Sequence, residues 1–194
     1  MLIWVANACV SAPAAKAQEW QDVPVYTDLK EALKNPKSVK RLDLSKQKLS
    51  RIPSEVFTSF PNMYELVLSK NKLKTLPDEL GNLRNLRILK LDRNKFESLP
   101  ETIGRLEKLE VLDVNRSNLY YLPESIGNCH SLERIIAWDT NLITLPNSLK
   151  KCHSLGYIDL RNIEFSSSLQ EELKTMLAGV KIEFTNSCNC GPNP

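Results

Sequence analysis

The sequence predicts an α/β repeat solenoid, a chain wound into stacked coils with a parallel sheet lining the concave side. Three observations carry that expectation. After a first unit one residue longer, four successive units keep a constant period of 23 residues. Each unit opens on alternating residues that point to opposite sides, the mark of a strand with one buried face. A proline returns at the same place in five units, at Pro53, Pro77, Pro100, Pro123 and Pro146. Self-similarity at such a period means a stack of supersecondary units, none of which buries its apolar side alone.

The 194 residues are 42% hydrophobic and 25% charged, an ordinary globular composition that argues against disorder. A formal charge of +3, with no recognisable reading motif, gives no reason to expect a nucleic-acid partner. No apolar run approaches the roughly 20 residues that a spanning helix needs, so no transmembrane span is expected.

From the N-terminus, residues 1–17 read as a signal peptide. Leu2 to Val10 is apolar, and Ala15-Lys16-Ala17 before Gln18 fits a small-x-small cleavage pattern, although basic residues before the apolar stretch are missing. An ordinary tail is the competing reading, and Cys9 as a lipid-anchored cysteine is a third. Residues 18–38 are expected to form an N-terminal cap. Asp28 with Glu31 reads as a capping box, Leu29, Ala32 and Leu33 give a helix one apolar side, and Asn35-Pro36 stops it.

Residues 39–167 hold six units, the last divergent. The strands put Leu66 and Leu68, or Leu89 and Leu91, into the core, while Leu73, Leu76, Leu80 and Leu83 fill the rest of a coil. The fixed φ of each proline turns the chain onto the convex side. A buried slot at the strand end carries Gln47, Asn71, Asn94, Ser117 and Thr140, which can bond the backbone of the turn; Ile163 cannot, and marks the end of the regular array. Residues 168–187 should cover the open end of the stack. Ser168 with Glu171 starts a helix, Leu169, Leu173, Met176 and Leu177 line one side, and Gly179 ends it before a last strand through Val180, Ile182 and Phe184. Residues 188–194 are a tail containing Cys188 and Cys190.

The consensus LxxLxLxxNxLxxLPxxIGxL resembles the 23-residue leucine-rich repeat class of Ras-group scaffolds and of exported spirochaete and Bacteroidetes proteins. The lead-in TDLKEALKNPKSVKRLDLS is similar to the cap of the bacterial members. The likeness covers roughly residues 27–185. It implies a leucine-rich-repeat horseshoe, helical at its N-terminal cap and helix-strand at its C-terminal one, that binds a partner protein through its concave face; it does not name that partner, for which a host or envelope protein is the expectation. It also implies a secreted, periplasmic or cell-surface location. A cytoplasmic or structural scaffold without a dedicated ligand is the alternative, and exposed Trp and Tyr also permit a carbohydrate ligand.

Stacking the outward strand positions gathers Val111, Ile136, Trp138 and Tyr157, with Tyr120 and Tyr121 on the adjoining turn and Arg134 and Arg161 nearby. Aromatics near arginine are the usual composition of an interface hot spot. Flat packing of Trp138 as a cover over neighbouring strands is the plainer alternative. Two basic columns form in the N-terminal half, Lys46, Lys70, Arg93 and Arg116 in one and Lys48, Lys72 and Lys95 in the other. At ~4.8 Å between strands they repel each other, which fits an acidic partner or simply a polar surface.

Cys129-His130 and Cys152-His153 recur one period apart. The cysteines occupy the core slot of Leu83 and Leu106 and the histidines point elsewhere, so repeat duplication accounts for the motif better than a zinc site. Cys129 with Cys152 is a candidate disulfide, as are Cys188 and Cys190. No cofactor or metal is expected. No phosphate loop or nucleophile elbow appears, and the histidines lie away from Asp43, Asp92, Asp113 and Asp159 on the concave side, so catalysis is not expected. The chain is read as a monomer.

Overall fold

A computed structural model describes residues 22–185. The signal-peptide reading of residues 1–17, Cys9, Cys188 and Cys190 all lie outside the described residues. The chain opens with β1 (Val25–Tyr26), α1 (Leu29–Lys34) and β2 (Arg41–Asp43), followed by the short helix α2 (Glu55–Thr58). Then come β3 (Glu65–Val67), β4 (Ile88–Lys90), β5 (Val111–Asp113), β6 (Arg134–Ile136) and β7 (Tyr157–Leu160). The helix α3 (Ser167–Met176) and the strand β8 (Lys181–Phe184) close it. All eight strands form one parallel sheet in sequence order.

The register is the one the period demands: Leu42 lies beside Leu66, then Leu89, Leu112, Ile135, Ile158 and Ile182. All but Ile182, on the last strand, are fully buried and form one side of a continuous apolar column. Leu68, Leu91, Leu73 and Leu80 are also completely enclosed, as the alternation predicts.

On the convex side the coils return through five-residue 3₁₀ helices, Asp78–Asn82, Glu101–Arg105, Glu124–Asn128 and Asn147–Lys151. Each begins after a proline held extended, with ψ between 143° and 157°. The tighter i→i+3 turn, usual in short pieces, spans each of these returns. The extra residue of the first unit instead accommodates α2, which buries Val56 and Phe57. Glycine is required here by close approach. A Cβ on Gly104 or Gly127 would sit 2.5 Å from the carbonyl oxygen of Ser125 or Ser148 in the next coil.

Both end covers differ in detail from the expectation. Asp28 does cap α1, accepting from the amides of Lys30 and Glu31 at 2.7 and 3.1 Å. Glu31 does not reach back to close the box; it pairs with Lys34 instead. Ala32 is buried, but Leu33 is 37% exposed, because a six-residue helix turns it past the apolar stripe. At the other end Ser166, not Ser168, caps the helix, accepting from the Leu169 amide at 3.2 Å. Burial of Ile163 and Phe165 fixes where the chain leaves the core, which sets the cap two residues early. Leu173 and Leu177 are buried as expected, and Gly179 ends the turn at φ +94°.

The strand-end slot separates into two kinds. Asn94 donates to the carbonyls of Leu68 and Leu91 and accepts from the Leu73 amide, so one side chain ties two coils together. Asn71 does the same one coil earlier, reaching Leu44, Leu68 and the Leu49 amide. Ser117 and Thr140 bond only the carbonyl three residues back in their own coil. Gln47 is exposed rather than buried; its amide reaches sideways to the Thr27 carbonyl at 2.9 Å and joins the repeats to the N-terminal cap.

Candidate binding face

The concave face is built from three outward columns, one for each alternate position through the strand and into the turn. Val111, Arg134 and Tyr157 follow one another in the first, and Asp113, Ile136 and Asp159 in the second. The backbone bonds of Arg116 to Trp138 and of Asp139 to Arg161 continue the ladder, aligning Asn115, Trp138 and Arg161 in the third. The structure therefore brings Val111, Ile136, Trp138 and Tyr157 onto one surface, all partly exposed. Tyr120 and Tyr121, 39% and 55% exposed, stand apart on the flank beyond the strand ends.

Which arginine meets which ring differs from the expectation. Arg116, from the basic column, lies over the Trp138 ring with its guanidinium carbon 4.3 Å from the centroid, while its Nε is 3.5 Å from Asp139. Arg134 lies over Tyr157 at 5.1 Å, and the Lys181 ammonium approaches the same ring at 5.6 Å. These distances are within the range of cation–π attraction. Arg161 lies over neither ring: it makes a two-pronged bond to the buried carboxylate of Asp159 at 2.9 and 2.7 Å, and lies 3.6 Å from the Glu183 carboxylate that also takes the Tyr157 hydroxyl. Bonding to Asp159 raises the Arg161 pKa further. The Tyr157 hydroxyl donates to Glu183 at 2.9 Å, and burial above all pushes its pKa up to about 12.

The basic columns stack as the period predicts, but their backbone is unexpected. Lys46, Lys48, Lys70, Arg93 and Arg116 all adopt left-handed φ, between 52° and 60°. Asp139 and Asn162 hold the same conformation in the later coils. Asn and Asp tolerate it better than other residues with a Cβ, so lysine and arginine are not what the turn itself favours. Aspartate and asparagine at the equivalent place in units five and six were the available signal. Among the described residues Lys46, Lys48, Lys70, Lys72, Arg93 and Lys95 make no ion pair or side-chain hydrogen bond, and all are exposed.

The strands of this N-terminal half are occupied by ion pairs. Arg41 meets Glu65 at 2.5 Å, Lys90 approaches Glu65 at 3.9 Å, and Arg87 binds Glu110 at 2.8 Å. At the middle of the face Asp113 is pushed up to about 6, chiefly by burial and also by neighbouring Asp92, against hydrogen bonds from Asn115 and the charge of Lys90.

Cys129 and Cys152 are free, buried thiols, which corrects the candidate disulfide between them. Each turns back to a carbonyl of the preceding coil, Cys129 to Ile103 at 3.4 Å and Cys152 to Ile126 at 3.5 Å, so the two sulfurs point along the stack in parallel. Burial raises both thiol pKa values, that of Cys129 to about 12, which keeps them protonated and unreactive. His130 and His153, the next residues, are exposed on the convex side.

An apolar feature that the sequence reading passed over is Ile143, 51% exposed, one period after Tyr120 and bonded to its carbonyl through the backbone. The 23-residue spacing between them was the signal. Beside them a cavity of about 690 Å³ is lined by Tyr120, Asp139, Asn141, Asn162, Glu164 and Thr185.

The family described as "Leucine-rich repeat region" matches residues 63–189. Among solved structures the chain is similar to a leucine-rich repeat protein of Leptospira interrogans, with a TM-score of 0.69 and 28% identity over 83% of this chain and 48% of that one. It has the fold of InlP of Listeria monocytogenes, with a TM-score of 0.61 and 23% identity over 74% of this chain and 38% of the other. Leucine-rich repeat-containing protein 10 of Bos taurus is 50% identical over 48 residues, 25% of this chain and 17% of that protein. The MAP kinase phosphatase with leucine-rich repeats protein 3 of Dictyostelium discoideum is 32% identical over 53 residues, 27% of this chain and 6% of that protein. The likeness to these last two proteins is confined to a few coils, and each of the four matches spans less than half the length of the other protein.

Proposed function

The chain belongs to the leucine-rich repeat family, and from that premise we propose that it is a non-catalytic module that captures a partner protein on the C-terminal half of its concave face. The observation that carries the reading is the lattice of cations and rings: Arg116 over Trp138 and Arg134 over Tyr157, on adjacent coils and partly open to solvent. Val111 and Ile136 supply apolar surface beside them. A ring already clamped by an arginine loses little freedom on binding, which makes it an economical anchor. The lysine and arginine columns on the N-terminal flank then serve mainly in approach, attracting an acidic surface from a distance.

We propose that the protein is exported. The apolar stretch before Ala15-Lys16-Ala17 and the cysteine-containing tail support that reading. A mature N-terminus at or near Gln18, read by mass spectrometry on protein from the native cell, is the expected result. An intact N-terminus on cytosolic protein overturns the export reading.

The binding site is tested with the partner recovered by pull-down from envelope or host extract. Trp138→Ala is expected to weaken binding by ~2 kcal/mol or more with only a small fall in melting temperature, from the lost Arg116 contact. The Lys70→Glu and Arg93→Glu double variant should slow association and flatten its salt dependence. Wild-type binding by Trp138→Ala, with loss confined to the charge reversals, moves the site to the N-terminal flank.

A further inference from the structure

The sheet ends at β8, and among the described residues nothing pairs with the outer edge of that strand. Tyr157 lies opposite Lys181 and Asp159 opposite Glu183, and the Lys181 amide donates to the Gly156 carbonyl at 3.0 Å. In a parallel ladder, alternate residues direct both backbone groups to the same neighbour. Lys181 and Glu183 therefore face β7, and the amides and carbonyls of Ile182 and Phe184 point outward with the Val180 carbonyl. The side chains of Val180, Ile182 and Phe184 are only partly buried against the core. A groove of about 450 Å³ opens beside them, lined by Phe165, Lys174, Ile182 and Phe184. Lys181 and Glu183 project on the other side of the sheet, paired with each other at 2.7 Å and with side chains 70% and 30% exposed, so that a facing strand would exchange this pair for two between copies.

The segment Val180-Lys181-Ile182-Glu183-Phe184 is self-complementary about its centre. Turned by a two-fold axis through Ile182, a second copy runs antiparallel, with Ile182 against Ile182, Val180 against Phe184 and Lys181 against Glu183. Both ion pairs join unlike charges, and the outward amides of Ile182 and Phe184 meet the outward carbonyls of Ile182 and Val180. Other registers fail. A shift of one residue sets an outward backbone group against one already bonded to β7. A shift of two sets Lys181 against Lys181, or Glu183 against Glu183, which repels.

We propose that β8 is a dimerisation edge, through which two copies of this chain join antiparallel about Ile182 into one continuous sheet. A short, charged edge strand ordinarily discourages pairing. Here backbone bonding excludes a shift of one residue and like charges oppose a shift of two, and the sequence that satisfies the remaining register is the chain's own. The nearest competing occupant, residues 186–194 of the same chain, contains two prolines and no aliphatic or aromatic residue to match the apolar row. Contact through one short strand gives a weak, concentration-dependent dimer.

The test is sedimentation of the full chain over a concentration series, with and without reductant. A monomer–dimer equilibrium is expected for the wild type. Lys181→Glu and Glu183→Lys are each expected to weaken it by about tenfold or more, since each turns both ion pairs into like-charge pairs. Mixing the two variants in equal amounts should restore dimers, because the mixed pair again opposes unlike charges. Because Glu183 also accepts from the Tyr157 hydroxyl, the exposed Lys181→Glu decides the outcome by itself should Glu183→Lys fail to fold. The proposal is overturned by a wild type that stays monomeric at the highest attainable concentration, or by a dimer that reduction abolishes, which assigns it to the tail cysteines. A dimer indifferent to Lys181→Glu overturns it as well.

Discussion

The first three units and the last three share one frame but differ in what joins a coil to its neighbour. In the early units asparagines bridge between coils: Asn71 and Asn94 each bond backbone groups of two turns from a buried position. In the later units Ser117 and Thr140 serve only their own coil, the buried thiols of Cys129 and Cys152 reach the preceding coil instead, and on the surface Arg116 covers Trp138 and Arg134 covers Tyr157. The strand-end slots of the N-terminal half therefore supply more bonds between coils than those of the C-terminal half. In a stack whose stability is approximately a sum of unit and interface terms, such a gradient is permitted as long as each interface remains favourable.

The shared frame sets the largest expected effect. Leu89 and Leu112 are fully buried, at equivalent positions in the third and fourth units. Replacing either by alanine should remove ~2 to 5 kcal/mol, from lost transfer energy and the cavity left behind. Denaturant titration followed by circular dichroism reads the loss. Near-equal values on the two sides support a common frame; a loss below ~1 kcal/mol at Leu112 alone would show that the core, too, is looser in the C-terminal half.

The bridging asparagine comes next. Asn94→Ala leaves the Leu68 and Leu91 carbonyls and the Leu73 amide without this partner in a buried turn, and is expected to cost ~1 to 3 kcal/mol. Thr140→Ala gives up one bond within its own coil and should cost ~1 kcal/mol or less. Equal losses at the two positions would remove the distinction between the halves.

Much of this was legible from the sequence because it repeats. The leucine columns, the proline positions and the register follow from the period and need no knowledge of the particular neighbours. What was not legible is whatever depends on the offset between coils. Arg116 reaches Trp138 diagonally, from one coil to the next and one position aside, and counting in steps of 23 joins it to Asp139 instead. The left-handed turn at Lys46, Lys70, Arg93 and Arg116 was hidden behind residues that do not favour it. The cap of α3 lay within three consecutive serines, and only the burial of Phe165 selects Ser166. Cys129 and Cys152 were correctly placed in the core slot, but the direction of each thiol is set by the carbonyl available to it in the preceding coil.

The boundary between the halves carries a titratable group. Asp113 sits at the middle of the concave face with its pKa raised from 3.8 to about 6, principally by burial. Between those two values the folded chain keeps a proton that the unfolded chain has lost. The contribution of Asp113 to stability therefore falls as pH rises from about 4 to about 6, and is lost above that range. Asp113→Asn should flatten this part of the profile and raise stability at pH 7 by about 1 to 2 kcal/mol. An unchanged slope in thermal melts taken across that range would show that Asp113 is not the group responsible.

The smallest expected effect is a gain, and it addresses the comparison most directly. Ser117 occupies the slot that Asn94 holds one coil earlier, 4% exposed and bonded to the Val114 carbonyl. On the same frame, an asparagine there would reach the Leu91 carbonyl of the preceding coil and accept from the Phe96 amide, as Asn94 does with Leu68 and Leu73. Ser117→Asn should therefore carry the interior bridge one coil further, for ~0.5 to 1 kcal/mol of added stability. Amide hydrogen exchange locates the gain: protection is expected to rise in the third and fourth units, with little change in the first. A loss of stability would show that the turn at Ser117 has closed around the smaller side chain, so that the change from asparagine to serine altered the frame itself as well as the bonds within it.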